Sequence, residues 1–264
     1  MQNARLLWKL VTEFWFAPGD VILRYHEAVI WHAIKLRRPI LDIGCGDGKI
    51  TQHIFSHLLP LEVGLDPEPT GAAESGSYKR VVTAPASAMP VPDASYASVT
   101  SNSTFEHITD DIESIAEISR VLQEGGRLYL TVPHPSLSQL IRKRTSSVEQ
   151  YVAVHKRIMH LHYRSASEWQ HILRQAGLQV VEHKRYLSPQ AGWLWFTLFS
   201  LVTWRPHKRE LWSYLSEKRF NRFIPIFLIK ILEFVLIGGV SGGIWDRNGV
   251  WQYIVAEKVE TLSA

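Results

Sequence analysis

The sequence "ILDIGCGDGKI" occupies residues 40–50 and sets the expectation for how the chain around it folds. Its apolar beginning predicts a short buried strand, and the glycines that follow predict a tight turn. Gly44, Gly46 and Gly48 carry no Cβ, so the backbone at these positions can approach a ligand closely. Exposed N–H groups at the start of the next helix would favour an anion such as a carboxylate. Because purely structural turns can also be rich in glycine, a second observation is needed.

That observation is Asp66, which ends the next predicted strand, "LEVGLD" (61–66), twenty-two residues after Gly44. An acidic residue near this spacing can accept hydrogen bonds from both hydroxyls of a ribose, although an Asp before Pro67 can also simply begin a turn. A nicotinamide or flavin dinucleotide and S-adenosylmethionine both contain such a ribose. The dinucleotide pattern G-x-G-x-x-G requires glycine where Lys49 stands, so the spacing D-x-G-x-G-x-G fits S-adenosylmethionine better.

Strand-like and helix-like segments alternate outward from this motif. Further strands are predicted at "SYASVTSN" (95–102), "RLYLTV" (127–132), "LQVVEHKRY" (178–186) and "VWQYIVAEKV" (250–259). Helices are predicted over residues 1–36, where Asp20 would cap the second of two, over 109–122, and over 165–177. Thr109 would cap the helix at 109–122, and Gly125-Gly126 would stop it. The alternation indicates an α/β fold with a mainly parallel sheet that has helices on both faces.

Composition narrows the function classes. The 264 residues are 46% hydrophobic and 20% charged, which excludes a disordered chain. No repeat or linker divides the sequence, so we expect one domain over residues 1–264. The net charge of +4 is too small to predict nucleic-acid binding. Cys45 is the single cysteine, and the N-terminal sequence lacks a secretory signal pattern, so we expect a reducing, cytoplasmic location.

Four segments in order resemble the class I S-adenosylmethionine-dependent methyltransferases. They are "LDIGCGDG" (41–48), "VGLDPEP" (63–69), "SAMPVPDASYASVTSNSTFEHI" (87–108) and "EISRVLQEGGRLYLTVP" (117–133). The resemblance implies a Rossmann-like, seven-stranded, mostly parallel sheet. It assigns residues 38–186 and 249–259 to the cofactor-binding core, residues 1–36 to an N-terminal helical cap, and residues 187–248 to an apolar helical insertion before the last strand.

The resemblance also implies positions around the cofactor, S-adenosylmethionine. Gly44 and Gly46 would contact its methionine and ribose parts, Asp42 its amino group, and Asp66 the ribose hydroxyls. Three further groups complete the predicted cofactor-binding set: Cys45 and Pro67 from the same motifs, Ala86 and Ser87 beside the adenine, and Asn102 near the methionine end. Two positions depart from the family pattern, since Pro85 and Ala97 stand where acidic residues are common.

Direct methyl transfer needs a base only when the acceptor arrives protonated. His134, in "TVPHP", is the first candidate base and His107, in "FEHI", the second. His160 and His162 are predicted to lie at the substrate entrance. Histidines 155, 160 and 162, or the set Glu106, His107, Asp110 and Asp111, would suit a metal ion, but we predict no metal. A non-catalytic cofactor-binding relative and an NAD-dependent oxidoreductase are the alternatives to a methyltransferase.

The insertion contains "AGWLWFTLFSLVTWRPHKR" (191–209), an aromatic run followed by basic residues, and a second apolar run at 223–239. The first is shorter than the roughly 20 residues that span a bilayer, and charged residues interrupt the second. We therefore predict an apolar lid over the acceptor pocket, with Trp193 and Trp195 at the substrate and a possible peripheral membrane contact. Ordinary packing is the alternative. The predicted acceptor is small and hydrophobic: a quinone, polyprenyl, lipid or glycolipid.

Overall fold

The computed structural model describes residues 2–204, 210–215 and 226–259. Its centre is a seven-stranded sheet in the order β3-β2-β1-β4-β5-β7-β6. The strands from β3 to β5 are parallel, and β7 pairs antiparallel with both of its neighbours. The strands are β1 (Ile40–Ile43), β2 (Leu61–Asp66), β3 (Tyr78–Thr83), β4 (Tyr96–Asn102), β5 (Leu122–Pro133), β6 (Leu178–Tyr186) and β7 (Trp251–Lys258).

Helices surround the sheet and also form most of the insertion. In chain order the helices of the described residues are α1 (Gln2–Phe14), α2 (Pro18–Ala33), α3 (Lys49–Ile54), α4 (Asp111–Val121), α5 (Pro135–Arg144), α6 (Val148–Ile158), α7 (Ala166–Gln175), α8 (Pro189–Val202), α9 (Leu211–Leu215) and α10 (Ile226–Val240), with a 3-10 turn at Phe105–His107. The predicted α/β, Rossmann-like, seven-stranded fold is confirmed.

The sheet is covered on both faces because its strands are apolar on both sides. One hydrophobic core lies between the sheet and α1, α2, α8 and α10. The other lies between the opposite face and α4 and α7. Strand order reverses between β1 and β4, and ligands of such sheets bind beyond the carboxyl ends of the strands at this point. The glycine motif, which follows β1, therefore stands where a ligand is expected.

Packing accounts for several of the tryptophans. Trp31, Trp195 and Trp251 are all buried in the first core, each with no more than 4% of its surface exposed. Trp193 and Trp204, both on or just after α8, are instead 40% and 61% exposed. The aromatic run in the insertion thus has two sides, one that packs on the domain and one that faces outward. No helix in the described residues is long and apolar enough to cross a membrane.

The structure corrects three local predictions and adds a strand. Asp20 does not cap α2, because the helix already begins at Pro18, a residue suited to the first turn by its fixed φ and missing N–H. Thr109 does not cap α4, whose N-cap position is Asp110. Gly125 does not stop a helix but lies within β5, where a register shift against β4 accommodates the extra residues. Strand β3 was not predicted at all.

The structure also describes one stretch without a clear sequence pattern and bears out one predicted helix. Residues 134–164 contain α5 and α6. The helix predicted over 165–177 is present as α7, with a capping box in which Ser165 and Glu168 each bond the other's backbone N–H. Basic residues follow the aromatic run in the sequence, and they lie outside the described residues: Arg205, His207, Lys208 and Arg209.

Candidate active site

The glycine turn after β1 is shaped by close contacts. Gly44 has a φ of +82°, and a Cβ placed on it would lie 2.2 Å from Oγ1 of Thr104. Only glycine fits this position without moving the loop after β4. The N–H groups of Gly44 and Cys45 both donate to the carbonyl oxygen of Leu65, at 2.8 and 3.2 Å. The turn is thereby fixed to the end of β2, where the acidic residue stands.

Asp66 is held in place by backbone donors. Its Oδ1 accepts from the N–H of Glu68 at 2.8 Å, and its Oδ2 accepts from the N–H of Gly46 at 3.0 Å. The first of these bonds is the one expected of an Asp that begins a turn. The second links the carboxylate directly to the glycine turn. A carboxylate oxygen has two lone pairs, so each can still accept from a ribose hydroxyl.

Two adjoining cavities lie along this edge of the sheet. The larger, about 460 Å³, is lined by Asp66, Pro67, Ala86, Ser87 and His107, among others. The smaller, about 150 Å³, is lined by Arg24, Asp42, Cys45, Gly46 and Asn102. Gly44, Ser103 and Thr104 line both. All nine residues predicted to bind the cofactor therefore border one continuous cleft, and the set fits a nucleoside with an amino-acid end.

Asp42 is the buried carboxyl group of the smaller cavity. It accepts hydrogen bonds from the hydroxyls of Tyr78 at 2.6 Å and Thr100 at 2.8 Å. Burial raises the pKa of Asp42 to about 6, although these bonds and one from Thr51 oppose the shift. The carboxylate is thus ionised near neutral pH and can face a cationic amino group. Burial likewise raises the pKa of the Cys45 thiol to about 12, so this thiol stays protonated.

Sequence reasoning missed the contribution of α2. Glu27, fully buried, accepts from Arg24, from Asn102 Nδ2 at 3.0 Å and from Ser103 Oγ at 2.5 Å. Asn102 also accepts from Trp31 Nε1 at 2.7 Å, so its side chain positions the cleft rather than standing free for a ligand. The signal was present in "VILRYHEAVIW", where Arg24 and Glu27 interrupt an apolar helix three residues apart.

His107 stands at the wall of the larger cavity, beside His160. Its Nδ1–H donates to the carbonyl oxygen of Met159 at 3.0 Å, which leaves Nε2 as the basic nitrogen of the neutral ring. The ring centroids of His107 and His160 are 5.1 Å apart. Burial lowers the pKa of His107, and it lowers the pKa of His160 to about 3. Both rings are therefore neutral at physiological pH.

Glu106 completes this group. Its ligand atoms and those of His107 and His160 all lie within 4.8 Å of one another, an arrangement that can accept a metal ion. The sets considered from the sequence are not assembled: Asp111 is ion-paired with Arg164 at 2.6 Å, and His162 Nε2–H donates to the carbonyl oxygen of Ile108. Burial raises the pKa of Glu106 to about 8. The absence of a metal stays a prediction.

His134 has a different position from the one expected of a base. It is the N-cap of α5, and its Nδ1 accepts from the N–H of Ser136 at 3.1 Å. With Nδ1 occupied as an acceptor, the neutral ring carries its proton on Nε2 and has no free lone pair. Burial also lowers the pKa of His134 to about 4, and the residue borders neither cavity of the cleft. The structure favours His107 for the proton-accepting role.

Beyond His160 lies a group of buried polar atoms that have no hydrogen-bond partner among the described residues. We call it the unpaired cluster: Glu106 Oε2, His155 Nε2 and Trp251 Nε1. His160 connects its members, since its ring contacts Trp251 and its Nδ1 meets the hydroxyl of Tyr163, which reaches His155. Trp195 and Trp251 contact each other edge to face at 5.5 Å.

Of the four predicted substrate residues, two adjoin this cluster closely. Trp195 contacts Trp251 of the cluster and His160 links its members, while His162 lies farther away beside Ile108 of the larger cavity. Trp193 is on the opposite side of α8, because residues two apart on a helix point roughly 200° from each other. Its ring is exposed and lies 5.1 Å below the guanidinium of Arg144.

The sheet order, the fixed glycine turn and the acidic residue at the end of β2 define a Rossmann-like fold with a nucleoside cleft. A family model described as a methyltransferase domain matches residues 16–183. The chain belongs to this methyltransferase family. Its resemblance to class I S-adenosylmethionine-dependent methyltransferases is confirmed, and so is S-adenosylmethionine as the cofactor.

Named relatives agree on the class. The chain is 31% identical to the 27-O-demethylrifamycin SV methyltransferase of Amycolatopsis mediterranei over 153 residues, which cover 53% of each chain. It is 24% identical to the malonyl-[acyl-carrier protein] O-methyltransferase of a Paenibacillus species, covering 57% of this chain and 61% of that one. The chain spans little more than half the length of these curated relatives.

Solved structures show the same fold at low identity. A Thermotoga maritima S-adenosylmethionine-dependent methyltransferase, described as a possible histamine N-methyltransferase, superposes with a TM-score of 0.55 at 17% identity, covering 96% of this chain and 99% of that one. The phosphoethanolamine N-methyltransferase 2 of Haemonchus contortus gives a TM-score of 0.52 at 14% identity, covering 92% of this chain and 53% of that one. At these identities the likeness concerns the fold alone.

Proposed function

We propose that this protein transfers a methyl group from S-adenosylmethionine to an oxygen atom of a small hydrophobic acceptor. When bound, the sulfonium of the cofactor supplies an activated methyl group. The observation that carries the proposal is the unpaired cluster, because buried polar atoms in proteins are nearly always hydrogen-bonded. Three such atoms around His160 favour a polar ligand that completes their bonds.

The chemistry of the cluster favours neutral oxygen over charged groups. The indole N–H group of Trp251 can only donate. Glu106, with a pKa of about 8, is largely protonated at neutral pH and adds an O–H donor. Hydroxyl and carbonyl oxygens match these donors, whereas an ammonium group would leave them unpaired. Around them, rings such as Phe199, stacked on Trp195 at 5.5 Å, suit an apolar body.

His107 is the residue we propose for the proton. The hydroxyl proton of the acceptor would pass to Nε2, the nitrogen left basic by the bond from Nδ1–H to Met159. His107 borders the larger cavity and also adjoins His160, so it lies between the cofactor cleft and the cluster. Relatives with "O-methyltransferase" in their names, including one from Penicillium expansum at 29% identity over 54% of this chain and 52% of that one, support transfer to oxygen.

A competition between acceptor classes tests the proposal. The purified protein is incubated with cofactor labelled in the methyl group and with matched hydrophobic phenols or quinols, amines and thiols. We expect label in the oxygen compounds, and none with Asp66→Ala, which removes the ribose acceptor. His107→Gln should lower kcat by about 10²–10⁴-fold, with partial recovery at high pH where the phenol ionises by itself. Label found only in amines would overturn the proposal.

A further inference from the structure

Helix α10 exposes an unusual amount of apolar surface. Ile226, Phe227, Ile231, Phe234 and Ile237 are 46–78% exposed, and Phe234 is the most exposed at 78%. We call these five side chains the α10 face. A helix at a protein surface normally carries polar residues on its outer side. Here the outer side is apolar apart from Lys230, which calls for a partner that is itself apolar.

The inner side of α10 packs against the rest of the protein. Ile229, Leu236 and Val240 are buried in the first core. A Cβ on Gly239 would lie 3.1 Å from Ile22 of α2 and 3.2 Å from Leu194 of α8, so the helix is closely seated. The exposed α10 face therefore does not result from a helix that has failed to pack. At about 1.5 Å per residue, its 15 residues extend about 22 Å, less than the ~30 Å of a bilayer core.

The charges near this face are positive. Lys230 is the charged residue on the exposed side of α10, and Glu233 is half-buried. In the sequence just before α10, residues 205–225 contain six Lys or Arg and two Glu, a net charge of 6 − 2 = +4, equal to the net charge of the entire chain. An apolar helix face that carries Lys230, in a chain whose sequence just before the helix is basic, matches a membrane that bears anionic lipids.

Helix α8 adds further exposed apolar side chains, with basic residues close by. It contacts both α10 and α5. Its Leu201 and the Trp204 that follows it are 59% and 61% exposed. The last turn of α5 has three exposed cations, Arg142, Lys143 and Arg144, the last of which covers Trp193. Tryptophan and basic side chains are the residues that favour the headgroup region of a bilayer.

We propose that the α10 face lies in the interface of an anionic membrane, parallel to its surface. A second copy of the chain is a poorer occupant, because a two-fold contact would bring the same cations together. Docking in this way does not require methyl transfer and would hold with any acceptor. It would also place α8, whose buried Trp195 contacts Trp251 of the unpaired cluster, next to the hydrophobic molecules dissolved in the membrane.

Vesicle flotation of the full chain tests the proposal. Vesicles of phosphatidylcholine alone are compared with vesicles containing one quarter phosphatidylglycerol. We expect binding to the anionic vesicles that weakens with salt, and a loss of more than tenfold in binding for Phe227→Ser/Phe234→Ser. The matched control is Ile112→Ser, which removes a 54% exposed apolar residue from α4 on the other side of the sheet and should bind as the original does.

Folding of each variant is checked by circular dichroism and by S-adenosylhomocysteine affinity, both of which should stay unchanged. Three outcomes would overturn the proposal: no binding to either vesicle, equal loss with Ile112→Ser, or resistance to carbonate extraction, which indicates insertion. A lipid-free dimer seen by light scattering that Phe227→Ser/Phe234→Ser dissociates would assign the α10 face to a second copy instead.

Discussion

Asp42 shows how one buried side chain can set opposite pH trends for stability and for ligand binding. Burial raises its pKa from 3.8 to about 6 in the folded protein. The folded state therefore holds more protons than the unfolded state between pH ~4 and ~6, and its stability declines as pH rises through that window. Binding of a cationic amino group has the opposite requirement, because only ionised Asp42 attracts it.

We expect the affinity for S-adenosylhomocysteine to fall as pH drops below about 6, by up to about tenfold per pH unit, because each bound proton must first leave Asp42. Calorimetric titration from pH 5 to 8 measures the profile. Asp42→Asn should bind more weakly at pH 7 and show a flatter dependence, while Asp93→Asn, an exposed site on the β3–β4 connection, should follow the original. A profile unchanged in Asp42→Asn would contradict the role given to this residue.

At the scale of elements, short-range sequence patterns were sufficient to predict those features whose signals lie within a single segment of the chain. The strand and turn at 40–50, Asp66 after β2, and the capping box of α7 all have short-range signals, and the structure contains each of them. Strand β3 was missed because "YKRVVT" places charged residues among its apolar ones, as is common near a sheet edge. The unpaired cluster joins residues 106 to 251, and no local pattern brings such distant positions together.

The contact between α2 and α8 is another feature that sequence alone does not show. A Cβ on Gly19 would lie 2.8 Å from the carbonyl oxygen of Trp195 and 3.2 Å from the backbone nitrogen of Phe199. The two helix backbones thus meet at this glycine. Gly238, in α10, has nothing within 4 Å of the same position and lies within a regular helix.

These two glycines provide a matched pair. Gly19→Ala should destabilise the protein by about 1–3 kcal/mol, because the helices must separate. Gly238→Ala should stabilise it by up to about 1 kcal/mol, since alanine favours helix and meets no obstacle. Urea unfolding monitored by tryptophan fluorescence measures both. If the two variants shifted stability in the same direction, the close approach of α2 to α8 would not hold.

At the scale of the whole molecule, α2 connects the parts that function requires. Gly19 packs on α8, Ile22 packs on α10, and Glu27 and Trp31 reach Asn102 at the end of β4. The cofactor cleft, the unpaired cluster and the α10 face are thus joined through one helix rather than through the sheet alone. Ligand binding at the cleft should therefore also reduce backbone motion in α2.

Hydrogen exchange measures that connection. With S-adenosylhomocysteine at about 100 times its Kd, a site closed by the ligand can gain up to about 2.7 kcal/mol, or a hundredfold slower exchange. We expect slowing in the part of α2 from Glu27 to Trp31 as well as in the glycine turn, because Glu27 bonds Asn102 and Ser103 at the cleft. Helix α7, on the other face of the sheet, is the internal control and should not change. In Glu27→Ala/Trp31→Phe, which removes both side-chain bonds between α2 and Asn102, the turn should still be protected but α2 should not; protection of α2 that persists in this variant would show that the helix responds by another route.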